Sequence, residues 1–425
     1  MRALSLIGLI TLALAAGSAF SETLHVRAGH VLNIDTGERL AERVIVIRDG
    51  RIVQIASAEE IKADRTAQTI DLSGYTVLPG LSDAHVHFTS DHDKHGYRRL
   101  ADSLPRMTLT GARNARNTLM AGFTTVRNVG APSFSDVALR DAIAAGDIPG
   151  PRMLVSGPPI GITGGHCSDN NLLPPEFKAT GDGVADGPWA VRQAVRRNVK
   201  YGADMIKTCS TGGVLSRGTQ VGAPQYTLEE LTALVDEAHM HGRKVASHAH
   251  GTEGIRTAIE AGVDSIEHAS LIDAEGIRLA VERGTALSMD IYVTEYILGA
   301  GEDAGILPES LEKERQVGTT QRENFAAALR AGAIIAFGTD AGVYPHGDNA
   351  RQLSRMTRFG MTPLQALQAA TLTNARLFGL QDEIGRIEPG YRADLIAVEG
   401  DPLKQIETLE RVVFVMKDGQ VYKSP

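Results

Sequence analysis

His85 and His87 stand one residue apart in the stretch LPGLSDAHVHF, with Asp83 just ahead of them. On a β-strand, residues i and i+2 share a face, so both imidazoles project together from one strand end. Further along, His166 lies in GGHCSD, Lys207 in DMIKTCSTGG, His248 and His250 in KVASHAHG, His268 in SIEHAS and Asp340 in IIAFGTDAG. Singly, most have an ordinary explanation: a hydrogen-bonded histidine, an ion-paired lysine, a turn aspartate. Together they would bury at least six polar side chains around one mouth, which is costly without a cation. Histidine and carboxylate donors converging at strand ends suit Zn2+ or a similar divalent ion. As an ammonium, Lys207 would repel a metal. A neutral lysine that takes up CO2 becomes a carbamate, an anionic ligand able to bridge two metals. Two such ions hold a hydroxide at neutral pH and polarise a carbonyl, which is hydrolytic chemistry.

Convergence of this kind needs several strand ends at one place. Between residues 80 and 379 the sequence alternates short apolar runs with helical patterns, the signature of βαβ units. Eight strands are expected at 76–87, 124–129, 152–158, 204–210, 244–250, 264–269, 285–291 and 334–340. Helices are expected at 227–242, with Thr227 as N-cap and Glu230 at the capping-box position, and at 315–331. The fold class is therefore α/β, a closed (β/α)8 TIM barrel whose chemistry sits at the C-terminal strand ends. No Gly-x-Gly-x-x-Gly follows the first strand, which weakens a dinucleotide-binding sheet. The chain ends are β-rich and alike, ERVIVIRDGRIVQIAS and RVVFVMKDGQVYK, each with an Asp-Gly hairpin signal. Residues 22–80 and 380–425 are expected to build one small β-sandwich domain around a barrel of residues 81–379. Segments 161–187 and 292–312 lack periodicity and are expected as loops shaping the pocket, with Phe88, Tyr292, Tyr296 and Tyr344 lining an apolar subsite.

Composition narrows the partners. The formal net charge is −8 and no basic run could track a phosphate backbone, so nucleic acid is excluded. One early Arg, an apolar stretch from Leu4 to Ala16 and small residues before Glu22 form the layout of a secretory signal peptide over residues 1–21. The mature protein is expected to be exported, to a bacterial periplasm or beyond, without stable membrane association. Two cysteines, Cys167 and Cys209, make no disulfide framework in so long a chain; free, buried thiols are the expectation and a single bridge between them the alternative.

The whole pattern resembles the amidohydrolase superfamily: β-rich chain ends, His-x-His after LPG, Lys on strand four, His on strands five and six, Asp on strand eight. HAHG, GGH and IKTCSTGGVLS…QYT resemble the branch of Xaa-Pro dipeptidases, other metallo-carboxypeptidases of dipeptides and ochratoxin-hydrolysing enzymes. The resemblance implies two metals: His85, His87 and Asp340 on the buried one, His248 and His268 on the exposed one, and carboxylated Lys207 bridging them. It also implies a bridging hydroxide that attacks the scissile carbonyl, with Asp340 moving the proton to the leaving amine. His166 and His250 would face the developing oxyanion, and Tyr226 the substrate's terminal carboxylate. Arg217 is a candidate for that carboxylate on electrostatic grounds. The substrate expected is a dipeptide or N-acyl amino acid. The alternative is a deaminase, or a lactone or phosphoester hydrolase, on the same fold. Deaminases of the superfamily lack the strand-four lysine and carry a Glu soon after the strand-five His, whereas here His248 is followed by Ala-His-Gly. The resemblance further implies a homo-oligomer.

Overall fold

A computed structural model describes residues 23–61, 67–167 and 172–425. The expected signal peptide lies outside the described residues. No helix among the described residues is long and apolar enough to cross a membrane.

The chain begins with strands β1 (Leu24–Leu32), β2 (Arg39–Arg48), β3 (Arg51–Ser57) and β4 (Gln68–Pro79). A single glycine then separates β4 from the first barrel strand, β5 (Leu81–Val86). A side chain at Gly80 would collide with Thr124, so only glycine lets the chain pass so close to its neighbour. The barrel continues with β6 (Phe123–Asn128), β7 (Arg152–Val155), β8 (Met205–Cys209), β9 (Lys244–Ala249), β10 (Ser265–His268), β11 (Ala286–Ser288) and β12 (Ile335–Ala336). The strands form parallel sets β5–β6–β7 and β8–β9–β10–β11–β12. Bridges Ile160–Thr208 and Val86–Ala341 join the sets at both seams and close the barrel. Strand eight is shorter than expected as a regular ladder. Its chain still pairs with β5 up to Ala341, through His87 N to Ala341 O and Asp340 N to His85 O, each 2.8 Å.

The helices lie between these strands. They include α1 (Leu104–Met120), α2 (Ser135–Ala145), α3 (Pro188–Lys200), α4 (Leu228–Met240), α5 (Thr252–Ala261), α6 (Ala274–Arg283), α7 (Val293–Ala300) and α8 (Pro308–Arg330). The capping box at the start of α4 forms as expected, Thr227 accepting from Glu230 N while Glu230 accepts from Thr227 N. Helix α8 starts two turns earlier than periodicity suggests. Pro308 occupies its first turn, where a missing N–H costs nothing. The stretch expected as a loop over 292–312 is largely helical, with α7 and a short 3-10 turn at Gly301–Ala304.

Strands β13 (Leu395–Val398), β14 (Phe414–Lys417) and β15 (Gln420–Lys423) complete a seven-stranded sheet, in the order β15–β14–β13–β4–β1–β2–β3. Both chain ends thus build one sheet, folded over its own core of Val26, Ile45, Ile52, Leu72, Leu395 and Met416. Its two hairpin turns meet: Ala393 N donates to Gly50 O at 2.8 Å and Gly419 N to Ala393 O at 3.1 Å. Asp49-Gly50 and Asp418-Gly419 all have positive φ, as a two-residue hairpin turn requires. The opposite face, with Ile396, Val398 and Val415, joins the barrel's apolar core.

Phe123 and Phe337 stack in that core with ring centroids 5.5 Å apart, both fully buried. Phe337→Ala should cost about 3–5 kcal/mol of stability through the cavity it leaves. Urea unfolding checks this, and a loss below ~1 kcal/mol would mean the site collapses freely.

Candidate metal centre and active site

The C-terminal strand ends converge as alternation requires. His85 from β5 and His87 just beyond it meet with Nε2 atoms 3.3 Å apart. Asp340 Oδ1 lies 3.3 Å from His85 Nε2 and 3.4 Å from His87 Nε2. The other nitrogen of each ring is held from outside: His85 Nδ1 by Glu267 at 2.9 Å, His87 Nδ1 by Gly130 O at 3.4 Å. Nitrogens fixed in that way present lone pairs inward. Two lone pairs and a carboxylate then face one another, an arrangement that repels itself unless a cation sits among them. This donor set fits a divalent metal.

A second group brings together His248, His250 and His268, and a third joins His268 to Asp290 and Asp340. His268 Nδ1 lies 3.0 Å from Asp290, and Gln321 Nε2 donates to that carboxylate at 3.0 Å. His250 Nδ1 is 2.8 Å from Ser270 Oγ, and His166 Nδ1 is 2.9 Å from Ser216 Oγ. The His166 and His248 rings stack at 4.0 Å. A side chain at Gly213 would strike the His166 ring, so glycine there makes room for it. Pairing His248 with His268 follows the sequence expectation. The place of His250 in the same group does not, because the expectation kept it for the substrate.

Burial sets the electrostatics. It pushes His87 down to about 4 and His166 to about 3, and lowers His248 and His250 well below the usual range. These imidazoles are neutral at pH 7, the state in which they bind metals. Burial alone would raise Asp340, but His85, whose own proton affinity its carboxylate partners raise, holds it well below the ordinary carboxylate range. Lys207, only 3% exposed, lines the same cavity, and its side-chain amine makes no ion pair or hydrogen bond among the described residues. Burial lowers its ammonium to about 8, leaving a fraction as free amine near neutrality. His268 and Asp340 both adopt left-handed backbone conformations, φ +71° and +57°. Such strain in non-glycine residues persists where surrounding contacts over-determine it, and it clusters at functional sites.

The cavity above these residues measures about 510 Å³. Arg217 lines it, its guanidinium 5.9 Å from the Tyr97 ring. Tyr226 does not reach it: its hydroxyl donates to Ala185 O at 2.8 Å inside the core. Neither do the expected aromatics line it. Tyr292 and Tyr296 pack on Tyr344, and Phe88 on His346, behind the wall. The apolar wall is aliphatic instead, from Val293, Ile297, Ile306 and Leu307. The cysteines depart from expectation too, since Cys167 and Cys209 form a disulfide with Cα atoms 6.0 Å apart. It ties the chain beside His166 to the end of β8, two residues from Lys207. Spacing could not reveal it, because the sulfurs are 42 residues apart in sequence and meet only once the barrel closes.

The supporting residues escaped the sequence reading. Glu267, fully buried, accepts from Arg127 Nη2 at 2.5 Å and Ser265 Oγ at 2.6 Å while holding His85. Alternation assigns Glu267 and His268 to opposite faces. The positive φ at His268 breaks that rule. A charged residue inside the apolar strand SIEH was the available signal.

The amidohydrolase family model matches residues 76–422. Ochratoxinase of Aspergillus niger is 34% identical over 413 residues, spanning 92% of this chain and 84% of that protein. A solved Xaa-Pro dipeptidase with methionine bound in its active site matches with TM-score 0.90 and 38% identity, over 95% of this chain and 100% of that one. A prolidase complexed with N-methylphosphonate-L-proline matches with TM-score 0.87 and 29% identity, over 95% and 100%. The chain belongs to the amidohydrolase family. It is an enzyme, a hydrolase acting on amide bonds of small molecules.

Glu267→Gln should weaken metal binding about 10- to 100-fold by loosening His85. It should also cost ~3 kcal/mol, because Arg127 is left buried without its counter-charge. Metal titration and denaturant unfolding read the two effects, and unchanged metal affinity would remove Glu267 from the centre.

Proposed function

We propose that this enzyme is a binuclear metal hydrolase that cleaves the amide bond to a C-terminal amino acid in dipeptides or N-acyl amino acids. The observation that carries the reading is Lys207, buried among Glu267, Asp290 and Asp340 but in direct ion pair with none of them among the described residues, in the same cavity as the histidine and aspartate groups. Its free amine could take up CO2, and the resulting carbamate would offer the metal centre an anionic ligand in place of a repelling ammonium. His85, His87 and Asp340 would hold one metal ion, and His248 and His268 the other, with zinc the natural occupant of a histidine-rich set. When bound, the pair supplies a hydroxide at neutral pH and polarises the scissile carbonyl.

The chain's own residues do the rest. Asp340, ionised and at the meeting point of the two groups, accepts the proton of the attacking water and returns it to the leaving nitrogen. His166 and His250 present the nitrogen not engaged by Ser216 or Ser270, and a ring N–H there steadies the oxyanion. For a proton on Nε2, the serine hydroxyl must donate to Nδ1. Arg217 offers a guanidinium to the substrate's terminal carboxylate. The similarity to ochratoxinase and to Xaa-Pro dipeptidase supports the amide and the free carboxylate as substrate features. Export to the periplasm or beyond and assembly into a homo-oligomer belong to the same proposal.

Two experiments test it. Zinc-loaded enzyme should release the C-terminal amino acid from dipeptides and aromatic N-acyl amino acids but not from their C-terminal amides. Equal rates on acids and amides would take the carboxylate out of recognition. Asp340→Asn should fold and lose about 10²–10⁴-fold in kcat. Normal turnover would place the proton transfer elsewhere.

A further inference from the structure

One wall of the cavity is built by α7, the turn after it and the start of α8. Val293, Ile297, Ile306, Leu307, Ser310 and Glu314 line it. Ser310 and Glu314 lie one turn apart on α8 and so share its cavity-facing side. The aliphatic residues give this wall an apolar face that would suit a methylene chain, and the Glu314 carboxyl belongs to the same wall.

Glu314 is 3% exposed, yet among the described residues no lysine, arginine or histidine pairs with it. Its polar neighbour is the Thr294 hydroxyl, and Asp290 and Asp340 add negative potential around it. Arg322, two turns further along α8, is engaged by Glu295 and by Ile291 O. The other carboxylates nearby are matched: Glu267 by Arg127, Asp290 by His268, Asp340 by His85. A buried carboxylate without a counter-charge is costly. Burial pushes Glu314 up to about 7, so an arriving cation would find it partly ionised and complete the change. It has no part in the chemistry described above.

We propose that Glu314 is the recognition group for a basic side chain of the substrate. The aliphatic stem of a lysine or arginine would lie along Val293, Ile297, Ile306 and Leu307, and its ammonium or guanidinium would meet the Glu314 carboxylate. This rests on the amide-hydrolysing reading and narrows its substrates to basic ones.

The test pairs arginine with citrulline, its neutral near-isostere. With zinc-loaded enzyme, kcat/KM is measured for Ala-Arg against Ala-citrulline and for Arg-Ala against citrulline-Ala. The two pairs tell which residue of the substrate carries the cation. The arginine member of one pair should be favoured about 10- to 100-fold, and Glu314→Gln should abolish that ratio. A packing role would lower both members alike and leave the ratio intact, which overturns the proposal, as does a wild-type ratio near one. Calorimetric binding of L-arginine against L-citrulline to the same proteins gives a readout free of turnover. If no dipeptide is cleaved, the amide reading fails, while the binding difference still decides the role of Glu314. Should Glu314→Gln not fold, Glu314→Asp keeps the charge and should retain a reduced preference; a complete loss there would contradict the proposal.

Discussion

Taking charge out of water is the constraint around which this molecule is built. Imidazoles, a lysine and an aspartate are withdrawn from solvent at one end of a closed barrel, and each must find a partner there. Arg127 pairs with Glu267, Glu267 holds His85, and His85 meets His87 and Asp340. The chain of contacts crosses the barrel from β6 through β10 to β5. It depends on strand register, since a slip of one residue would turn each side chain to the other face. The bridges at Ile160–Thr208 and Val86–Ala341 therefore do more than close the barrel. They fix the distance over which the buried charges compensate one another.

The loops complete what the strands begin. His166 is held by Ser216 Oγ at its ring, by Gln225 Oε1, which accepts from the His166 backbone N–H, and by the disulfide at the next residue. Lys313 on α8 donates to Ser216 O at 2.6 Å, so the loop after β8 and the cavity wall brace each other. Several direct contacts thus fix this side of the cavity. The sheet made from both chain ends passes directly into β5 through Gly80, tying the position of His85 to the rest of the core.

Much of this was legible in the sequence, for identifiable reasons. Period-two spacing placed His85 with His87. Strand–helix alternation located the eight strands, and each ligand type stood at a strand end. What escaped was set by geometry that sequence spacing does not encode. Glu267 was hidden because the left-handed turn at His268 breaks alternation. Cys167 and Cys209 were read as free because only barrel closure brings them together. Tyr226 precedes a well-capped helix, and the fold spends its hydroxyl on Ala185 O instead of the cavity. Period-two spacing says which residues share a face of a strand; it says nothing of which groups a barrel brings together on closing.

The most direct test is the metal content of the enzyme reconstituted with zinc in the presence of bicarbonate, compared with Lys207→Ala treated alike. A shared carbamate predicts two ions per chain in the first and no more than one in the second. It also predicts a labelled carbamate carbon, seen by NMR with 13C-bicarbonate, in the first protein only. Two ions in both proteins, with no carbamate signal, would contradict the account at its centre.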